Sequence, residues 1–336
     1  MATHAFRPFI RYDDSYQPFR QKGGQKPNKK IRPIRYAARA DAYIYTRYRR
    51  ILSEQYEALL AEYGISDCVL AYRKIPVSPQ LIGGKCNIHF AAEAFETILS
   101  FDRCCAVTLD ISSYFDSIDH AILKKIWCRL VGAANLPPDH YAVYKNITRY
   151  ADVLRDDLYV RLGFAERDPR GVLRYPKKKK EMPKQLCTPS DFRELICGEK
   201  NGTSIVRRNA HRYGIPQGSP ISDVLANAYL LDFDREMAAY ARSRRGIYLR
   251  YSDDILILLP GDGRTGQGAH FRHQSNSAIW PAARDKARKM FVHRVSTQRR
   301  RVDIKVCEWR KKDRRSRIPR LSIRWSKSLH TQQYDY

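Results

Sequence analysis

The sequence lacks several patterns that would assign it to a familiar class at once. Its eight cysteines form no C-x-x-C pair and no zinc-type spacing, and several lie in apolar runs, as reduced core cysteines do. No segment approaches about 18 uninterrupted apolar residues, and the first residues contain no apolar signal-peptide core. We therefore predict no membrane insertion and a reducing, cytoplasmic location.

Acidic residues are also scarce. The 336 residues include 35 Asp+Glu against 62 Lys+Arg, which gives a formal charge of +27. Such a chain attracts polyanions, so nucleic acid is the first partner to consider, with a merely cationic or ribosome-associated protein as the alternative. A hydrophobic content of 43% is sufficient for one large domain or two smaller ones. The net charge alone does not indicate which reaction the protein catalyses.

The first half of the chain alternates between polar segments and periodic ones. Residues 1–30 are polar and basic, which predicts a mobile lead-in. Helical spacing of apolar residues predicts a long helix over 37–63 and a second over 90–99, with a strand, a turn and a return strand in 69–88. The run AVTLDI at 106–111 predicts a strand that leads into a helix at 121–130.

The second half contains an elaborated segment, a helix and a hairpin. Residues 133–213 are mixed in character and predict an insertion with a helix near 191–197. The turn GIPQGSP precedes a predicted helix over 221–243, and IYLRYSDDILILL predicts a β-hairpin.

The last quarter of the chain has a different composition. Residues 261–336 hold 20 Lys+Arg and 6 Asp+Glu, hence +14, and show no sustained helical or strand period. A nucleic-acid-binding tail, a poorly ordered extension and a reading frame that differs from that of relatives are three open interpretations.

Three aspartates stand out from the others by their context. Asp110 ends the predicted strand AVTL, and Asp253 and Asp254 lie at the centre of the predicted hairpin. Phosphoryl transfer needs divalent cations that clamp the attacking and leaving oxygens, and magnesium prefers carboxylate ligands. Together the three are candidates for a two-metal site. The remaining candidates are interpreted as helix-start or surface carboxylates: Asp116, Asp119, Asp232 and Asp234.

Three segments in this order resemble motifs A, B and C of reverse transcriptases: TLDISSYFDSIDH, GIPQGSPISDVLANAYLLDFD and YSDDILIL. The resemblance covers about residues 28–260. It implies an α+β right-hand polymerase, in which helices back an antiparallel palm sheet and the thumb is atypical or unrecognisable. The implied organisation is a flexible lead-in at 1–27, fingers at 28–105, a palm at 106–260 that contains the 133–213 insertion, and a basic C-terminal segment at 261–336, thumb-like or poorly ordered.

The resemblance also implies roles for individual residues. Asp110, Asp253 and Asp254, with the backbone carbonyl of Ile111, would bind two Mg2+ ions, for which Mn2+ could substitute. Further implied contacts to the nucleotide are a steric gate at Phe115 that favours deoxynucleotides, contacts from Gln217 and Gly218, and weaker candidates at Ser219 and Asn227. KKIRPIRYAARADAYIY resembles a fingers motif, in which Lys30, Arg32 and Arg35 are candidate triphosphate ligands; a solvated basic strand is an equally good interpretation.

The implied activity is RNA-directed DNA synthesis from dNTPs. The amino-acid sequences of the motifs are similar to those of bacterial defence-associated and abortive-infection reverse transcriptases. Some of these enzymes use a noncoding RNA or make repetitive or untemplated DNA. A retron enzyme is the nearest rival, although the Val-Thr-Gly signature expected in its thumb is absent. A catalytically idle RNA-binding scaffold and an RNA polymerase are further alternatives, the latter disfavoured by Phe115. With no recognisable thumb, a tightly held RNA, a partner protein or a second copy of the chain would be needed to hold the template.

Overall fold

The computed structural model describes residues 2–16, 29–78, 83–101, 103–175, 183, 185–198, 202–261, 287–298 and 301–309. The strands are β1 (Phe9–Tyr16), β2 (Lys30–Tyr36), β3 (Arg103–Ile111), β4 (Ala151–Leu154), β5 (Glu166–Arg167), β6 (Leu173–Arg174), β7 (Arg207–Arg208), β8 (Ile247–Tyr251), β9 (Asp254–Pro260), β10 (Ala287–Gln298) and β11 (Arg301–Trp309). The helices are α1 (Arg39–Glu62), α2 (Asn87–Ser100), α3 (His120–Leu130), α4 (Pro138–Thr148), α5 (Arg155–Arg161), α6 (Pro189–Asp191), α7 (Ser222–Tyr229) and α8 (Leu231–Ser243). Short 3-10 and π-helical turns cover Phe115–Ser117 and Phe192–Ile196.

The chain forms two compact units that interleave along the sequence. The first comprises Met1–Gln55 and Phe115–Leu225, and the second comprises Tyr56–Tyr114 and Ala226–Tyr336. Each has its own sheet: strands in the order β2-β1-β4-β7 in the first unit, and β11-β10-β3-β9-β8 in the second. The mixture of helices with two mainly antiparallel sheets is the α+β class expected from the sequence.

The sheet of the first unit includes a strand in the segment expected to be unpacked. β1 pairs antiparallel with β2 and parallel with β4, and Phe9 at its start is 1% exposed. The Phe9 ring lies 5.8 Å from the ring of Tyr45 in α1. This strand depends on pairing with residues far along the chain, so the local polar composition of residues 1–30 gave no sign of it.

Helix α1 confirms the helical period seen in the sequence. Tyr45, Tyr48 and Leu52, spaced at three and four residues, are all at most 2% exposed in the first unit. The hydroxyl of Tyr48 donates a hydrogen bond to Oδ2 of Asp139, 2.6 Å away, so the buried tyrosine keeps a polar partner.

The second unit is built around the strand β3. It pairs antiparallel with β9 on one side and β10 on the other, and β9 pairs with β8 in the predicted hairpin. Numbered along the chain, β3, β8, β9 and β10 lie in the sheet order 4-1-3-2, which is the order of a ferredoxin-like sheet. Cys104 and Cys105 of β3 are buried and unbridged, as predicted for core cysteines.

Two predictions about strands differ from the structure. The described part of 69–88 forms only isolated bridges, Val69 with Arg250 and Pro76 with Gly84, instead of two strands. Conversely, β10 and β11 lie in the C-terminal quarter, where no strand period was detected. β10 is extended through its pairing with β3, and β11 through its pairing with β10, so sheet pairing rather than local pattern determines where this backbone becomes extended.

Candidate active site

Two of the three predicted carboxylates lie directly opposite each other in the sheet of the second unit. Asp110, the penultimate residue of β3, is paired in register with Asp254, the first residue of β9. Directly opposed residues of an antiparallel pair project from the same face, with their Cβ atoms roughly 5 Å apart. Asp110 is half-buried and Asp254 is exposed, while the next pair, Leu109 and Ile255, is buried on the other face. The register therefore brings Asp110 and Asp254 to one end of the same sheet face.

The third carboxylate belongs to the two-residue loop that joins β8 to β9. Tyr251 pairs with Asp254, so Ser252 and Asp253 form the loop, and Ser252 has φ of 60°. The backbone N–H of Ile111 donates to the carbonyl of Asp253 at 3.2 Å, which fixes the loop beside the end of β3. A positive φ is unusual for serine and persists only where the surroundings hold the loop.

A buried arginine forms a hydrogen bond with the loop that contains Asp253. Arg250 of β8 is 0% exposed, and one of its terminal nitrogens donates to the carbonyl of Ser252 at 3.0 Å. The Ser252 side chain has a second partner, since its Oγ lies 3.1 Å from the hydroxyl of Tyr72. These contacts stabilise the left-handed residue next to Asp253.

The charge of Arg250 is balanced by Asp234 of α8, which is also 0% exposed. Nε of Arg250 donates to Oδ1 of Asp234 at 2.7 Å, its Nη2 donates to Oδ2 at 2.6 Å, and the Tyr248 hydroxyl donates to Oδ1 at 2.6 Å. Burial lowers the pKa of the Arg250 guanidinium, but the attraction of Asp234 and its hydrogen bonds raises that pKa by more, and the net pKa is well above its usual range. Arg250 therefore stays charged, and its contacts couple α8 to the loop that contains Asp253.

Asp234 was interpreted as a helix-start or surface carboxylate; it does lie in the first turn of α8, but the surface interpretation was wrong because it is 0% exposed. A usable signal was present, because Asp234 lies on the apolar face of α8 between Leu230 and Ala238 at four-residue spacing. A charged residue in such a stripe indicates a buried partner. Asn227 belongs to the same network: its Oδ1 accepts from Arg250 at 3.1 Å, and its Nδ2 donates to the carbonyl of Ala71 at 2.7 Å.

The predicted nucleotide-binding loop lies in the first unit and is joined there to Phe115. The N–H of Ile215 donates to the carbonyl of Phe115 at 2.9 Å, and that of Gly214 donates to the carbonyl of Ile118 at 2.8 Å. Phe115 itself is half-buried in a 3-10 turn. The turn after motif A and the motif B loop therefore form one locally bonded structure.

The same loop packs against β2. The N–H of Arg35 donates to the carbonyl of Gln217 at 2.8 Å. Gly218 has φ of +102°, and a Cβ at this position would lie 2.9 Å from both the carbonyl oxygen of Arg35 and Cγ2 of Ile34. Only glycine fits this conformation and this spacing. Ser219, which follows, is buried, and its Oγ has no hydrogen-bond partner among the described residues.

The three candidate triphosphate ligands on β2 have different surroundings. Arg35 is 7% exposed, its Nε donates to Oδ2 of Asp152 at 2.7 Å, and its guanidinium carbon lies 4.9 Å from the centre of the Tyr150 ring. Arg32 is exposed and is paired in register with Asp14 of β1. Lys30 is the first residue of the strand. The charge of Arg35 is therefore compensated inside the fold, whereas Arg32 projects from the exposed part of the strand.

The carboxylates fit magnesium in chemistry and in backbone position, but their side chains do not form a three-ligand cluster. Throughout the described residues, no three Asp, Glu, His or Cys side chains lie close enough together to hold a metal ion. Three carboxylates with no cation between them repel one another, which favours rotamers that keep the charges apart. The metal roles of Asp110, Asp253, Asp254 and the Ile111 carbonyl stay predictions, as do the nucleotide contacts of Phe115, Gln217 and Gly218.

Comparisons with known proteins give limited information. No family model matches this chain, and no curated protein matches it. Solved structures that resemble it include telomerase from Candida tropicalis truncated from the C-terminal domain (10% identity, TM-score 0.44, 81% of this chain and 52% of that chain). Another is telomerase from Candida albicans in complex with a fragment of telomeric RNA (10% identity, TM-score 0.43, 90% of this chain and 47% of that chain).

The chain spans about half the length of these telomerases. At such identities and scores the likeness establishes neither family nor activity. Among the described residues, no helix is long and apolar enough to cross a membrane.

Proposed function

We propose that this protein is an RNA-directed DNA polymerase that joins deoxynucleotides by two-metal nucleotidyl transfer. The observation that carries the proposal is the pairing of Asp110 with Asp254 across β3 and β9, with Asp253 bonded through its carbonyl to Ile111. In a chain of charge +27, a role in binding metal ions accounts for two carboxylates placed opposite each other at one end of a sheet. A protein that only bound nucleic acid would gain nothing from carboxylates placed beside phosphates.

In this proposal Asp110, Asp253 and Asp254 hold two Mg2+ ions, with Mn2+ as a substitute and the Ile111 carbonyl as a further ligand. The bound ions would neutralise charge on the triphosphate and on the attacking 3′-oxygen. Arg250 and Asp234 keep the Asp253 loop in its left-handed conformation and thereby position the ligands. This positioning is what the described residues of the second unit contribute to the reaction.

The turn after motif A and the motif B loop would select and orient the nucleotide. Phe115 would exclude a ribose 2′-hydroxyl, and Gln217 and Gly218 would contact the incoming nucleotide and the template. Of the β2 cations, Arg32 is a better candidate for the triphosphate than Arg35, because Arg32 is exposed whereas Arg35 is 7% exposed. Loop and strand are held together by the hydrogen bond from Arg35 to Gln217.

The biological setting proposed from the motif spelling is bacterial anti-phage defence, with a noncoding RNA or an untemplated or repetitive DNA product. A retron-type enzyme is the second candidate for the same chemistry. An idle RNA-binding scaffold is the candidate from another class. It predicts RNA binding with no synthesis.

The test is incorporation of labelled dNTPs by the purified full-length protein with Mg2+ and cellular RNA, followed by sequencing of the product. We expect DNA synthesis that depends on the divalent ion, and the sequence of the product will show whether an RNA was copied. RNA binding without any incorporation in Mg2+ or Mn2+ would favour the scaffold and contradict the proposal.

Sugar selection tests Phe115 separately. We expect Phe115→Ala to raise the use of rNTPs relative to dNTPs, because the ring that would contact the 2′-hydroxyl is removed. An unchanged preference would show that the half-buried Phe115 is only a packing residue.

A further inference from the structure

Two tyrosines of the first unit, neither of them a candidate site residue, have exposed rings. Tyr141 of α4 is 46% exposed and Tyr213, just before the motif B loop, is 48% exposed. Each ring has a cationic or aromatic neighbour. Nζ of Lys124 lies 5.7 Å from the centre of the Tyr141 ring, and the ring of His211 is stacked on Tyr213 at 4.9 Å and 18°.

The two rings are connected through a short chain of contacts. Tyr141 is stacked against Tyr144 on the next turn of α4, with ring centres 6.1 Å apart. The hydroxyl of Tyr144 donates to the carbonyl of His120 at 2.8 Å, and the N–H of His120 donates to the carbonyl of Arg212 at 3.0 Å. The segment before the motif B loop and the outer side of α4 are thus joined through the first residue of α3.

This surface, which we call the α4 face, is strongly cationic. Its exposed residues include Tyr141, Lys145, Arg149, Arg208, Arg212 and Tyr213, and the half-buried Lys124 lies beside Tyr141. The neighbouring carboxylates are largely occupied: Asp119 accepts from the N–H of Ile122 as the cap of α3, and Asp139 accepts from Tyr48. Asp116 is the exposed carboxylate nearest in sequence.

We infer that the α4 face binds single-stranded nucleic acid, RNA or DNA. Unpaired bases stack on exposed aromatic rings and cations track the backbone, whereas the bases of a duplex are already stacked on each other. Arg208, Arg212, Arg149 and Lys145 supply phosphate contacts on either side of the tyrosines. The inference deepens the proposed function, since it gives the template or an associated RNA a second place of contact, but binding here requires no catalysis.

The first test measures binding of a fluorescent 12-nucleotide single strand, as RNA and as DNA, to the full-length protein without metal or dNTPs. We expect Tyr141→Ala with Tyr213→Ala to weaken binding by at least about fivefold, the lower end for loss of one stacked base. Arg208→Gln with Arg212→Gln should reduce the slope of log Kd against log salt by about 1.4, for two phosphate contacts on a single strand.

Matched controls come from α1 in the same unit. Tyr43 is 72% exposed, and Arg47 and Arg50 are exposed on the same helix. Arg47→Gln with Arg50→Gln removes the same number of charges from another surface, and Tyr43→Ala removes one exposed ring, the control for Tyr141→Ala or Tyr213→Ala made singly. If these variants weaken binding as much as the α4-face variants do, only the net charge matters and the inference is wrong.

The second test locates the contact by photo-crosslinking with 4-thiouridine RNA and mass spectrometry. Crosslinks at Tyr141 or within 207–213 are expected, and crosslinks found exclusively elsewhere would overturn the inference. Extension of a short primer–template tests the proposed function independently of binding at the α4 face. The α4-face variants should still extend it, whereas failure of the wild type to incorporate dNTPs would contradict the polymerase and leave the binding result standing.

Discussion

Replacing Asp234 by asparagine leaves the shape of the side chain almost unchanged and removes the negative charge that faces Arg250. Asp234 accepts three hydrogen bonds, of 2.6 to 2.7 Å, from Tyr248 and Arg250, and both charged side chains are 0% exposed. An asparagine can keep the two bonds to Oδ1, but its NH2 group would face the donor Nη2 of Arg250. The guanidinium would then lie buried without a counter-charge.

Breaking a buried pair by removing one partner costs about 3–5 kcal/mol. For a chain of this size that corresponds to a fall in Tm of roughly 6–10 °C, using about 2 °C per kcal/mol. Differential scanning calorimetry and urea unfolding would measure it. Asp232→Asn, two residues earlier on the same helix and half-buried, is the control and should cost less than about 1 kcal/mol.

A double-mutant cycle uses Arg250→Met and Asp234→Leu, each alone and the two combined. The double variant should be more stable than either single one, because no uncompensated charge is then left inside. Because Arg250 also bonds the carbonyl of Ser252, the double variant should still lose polymerase activity at temperatures where it is folded. Equal stability of Asp234→Asn and Asp232→Asn would refute the account of the buried pair.

Two further predictions concern local structure. Gly218→Ala should lower dNTP incorporation strongly, because a Cβ at this position would lie 2.9 Å from the Arg35 carbonyl oxygen. The control Gly64→Ala, at φ of +62° with nothing within 4 Å of the added Cβ, should affect incorporation little. Similar losses in the two variants would argue against the packed loop. Alkylation with iodoacetamide at pH 8 should modify the exposed Cys86 and leave Cys104 unmodified, because burial raises the pKa of the Cys104 thiol to about 11. Peptide mass spectrometry would identify the modified cysteines. Modification of both would show that β3 is not packed as described.

The sequence predicted those parts of the fold that depend on local pattern. The periodic apolar residues of α1 and the hairpin of β8 and β9 are local in this sense, and both were found within one or two residues of the expected bounds. β1 and β10 were missed because their partners β4 and β3 are distant in sequence, and β11, which pairs with the neighbouring β10, was missed although RVDIKV alternates charged and apolar residues. Position in a sheet, not composition, makes these segments extended.

The candidate site was predictable to a similar extent. The aspartates could be identified because each follows or interrupts an apolar strand, and the structure places Asp110 and Asp254 in register. The residues behind the Asp253 loop were not identifiable from motifs, because Arg250 and Asp234 are 16 positions apart and become partners only when α8 packs on β8. Arg35 was one of three candidate triphosphate ligands, and its buried ion pair with Asp152 in the first unit was not expected.

The most direct measurement of the central claim is single-turnover extension of a primer–template by the wild type, Asp110→Asn, Asp253→Asn and the control Asp232→Asn. Each variant should first be shown to unfold at or near the wild-type temperature. If the carboxylates at the ends of β3 and β9 carry nucleotidyl transfer, Asp110→Asn and Asp253→Asn should each slow extension by at least about a hundredfold, while Asp232→Asn extends at nearly the wild-type rate. Extension at the wild-type rate by Asp110→Asn or Asp253→Asn would contradict the proposed site.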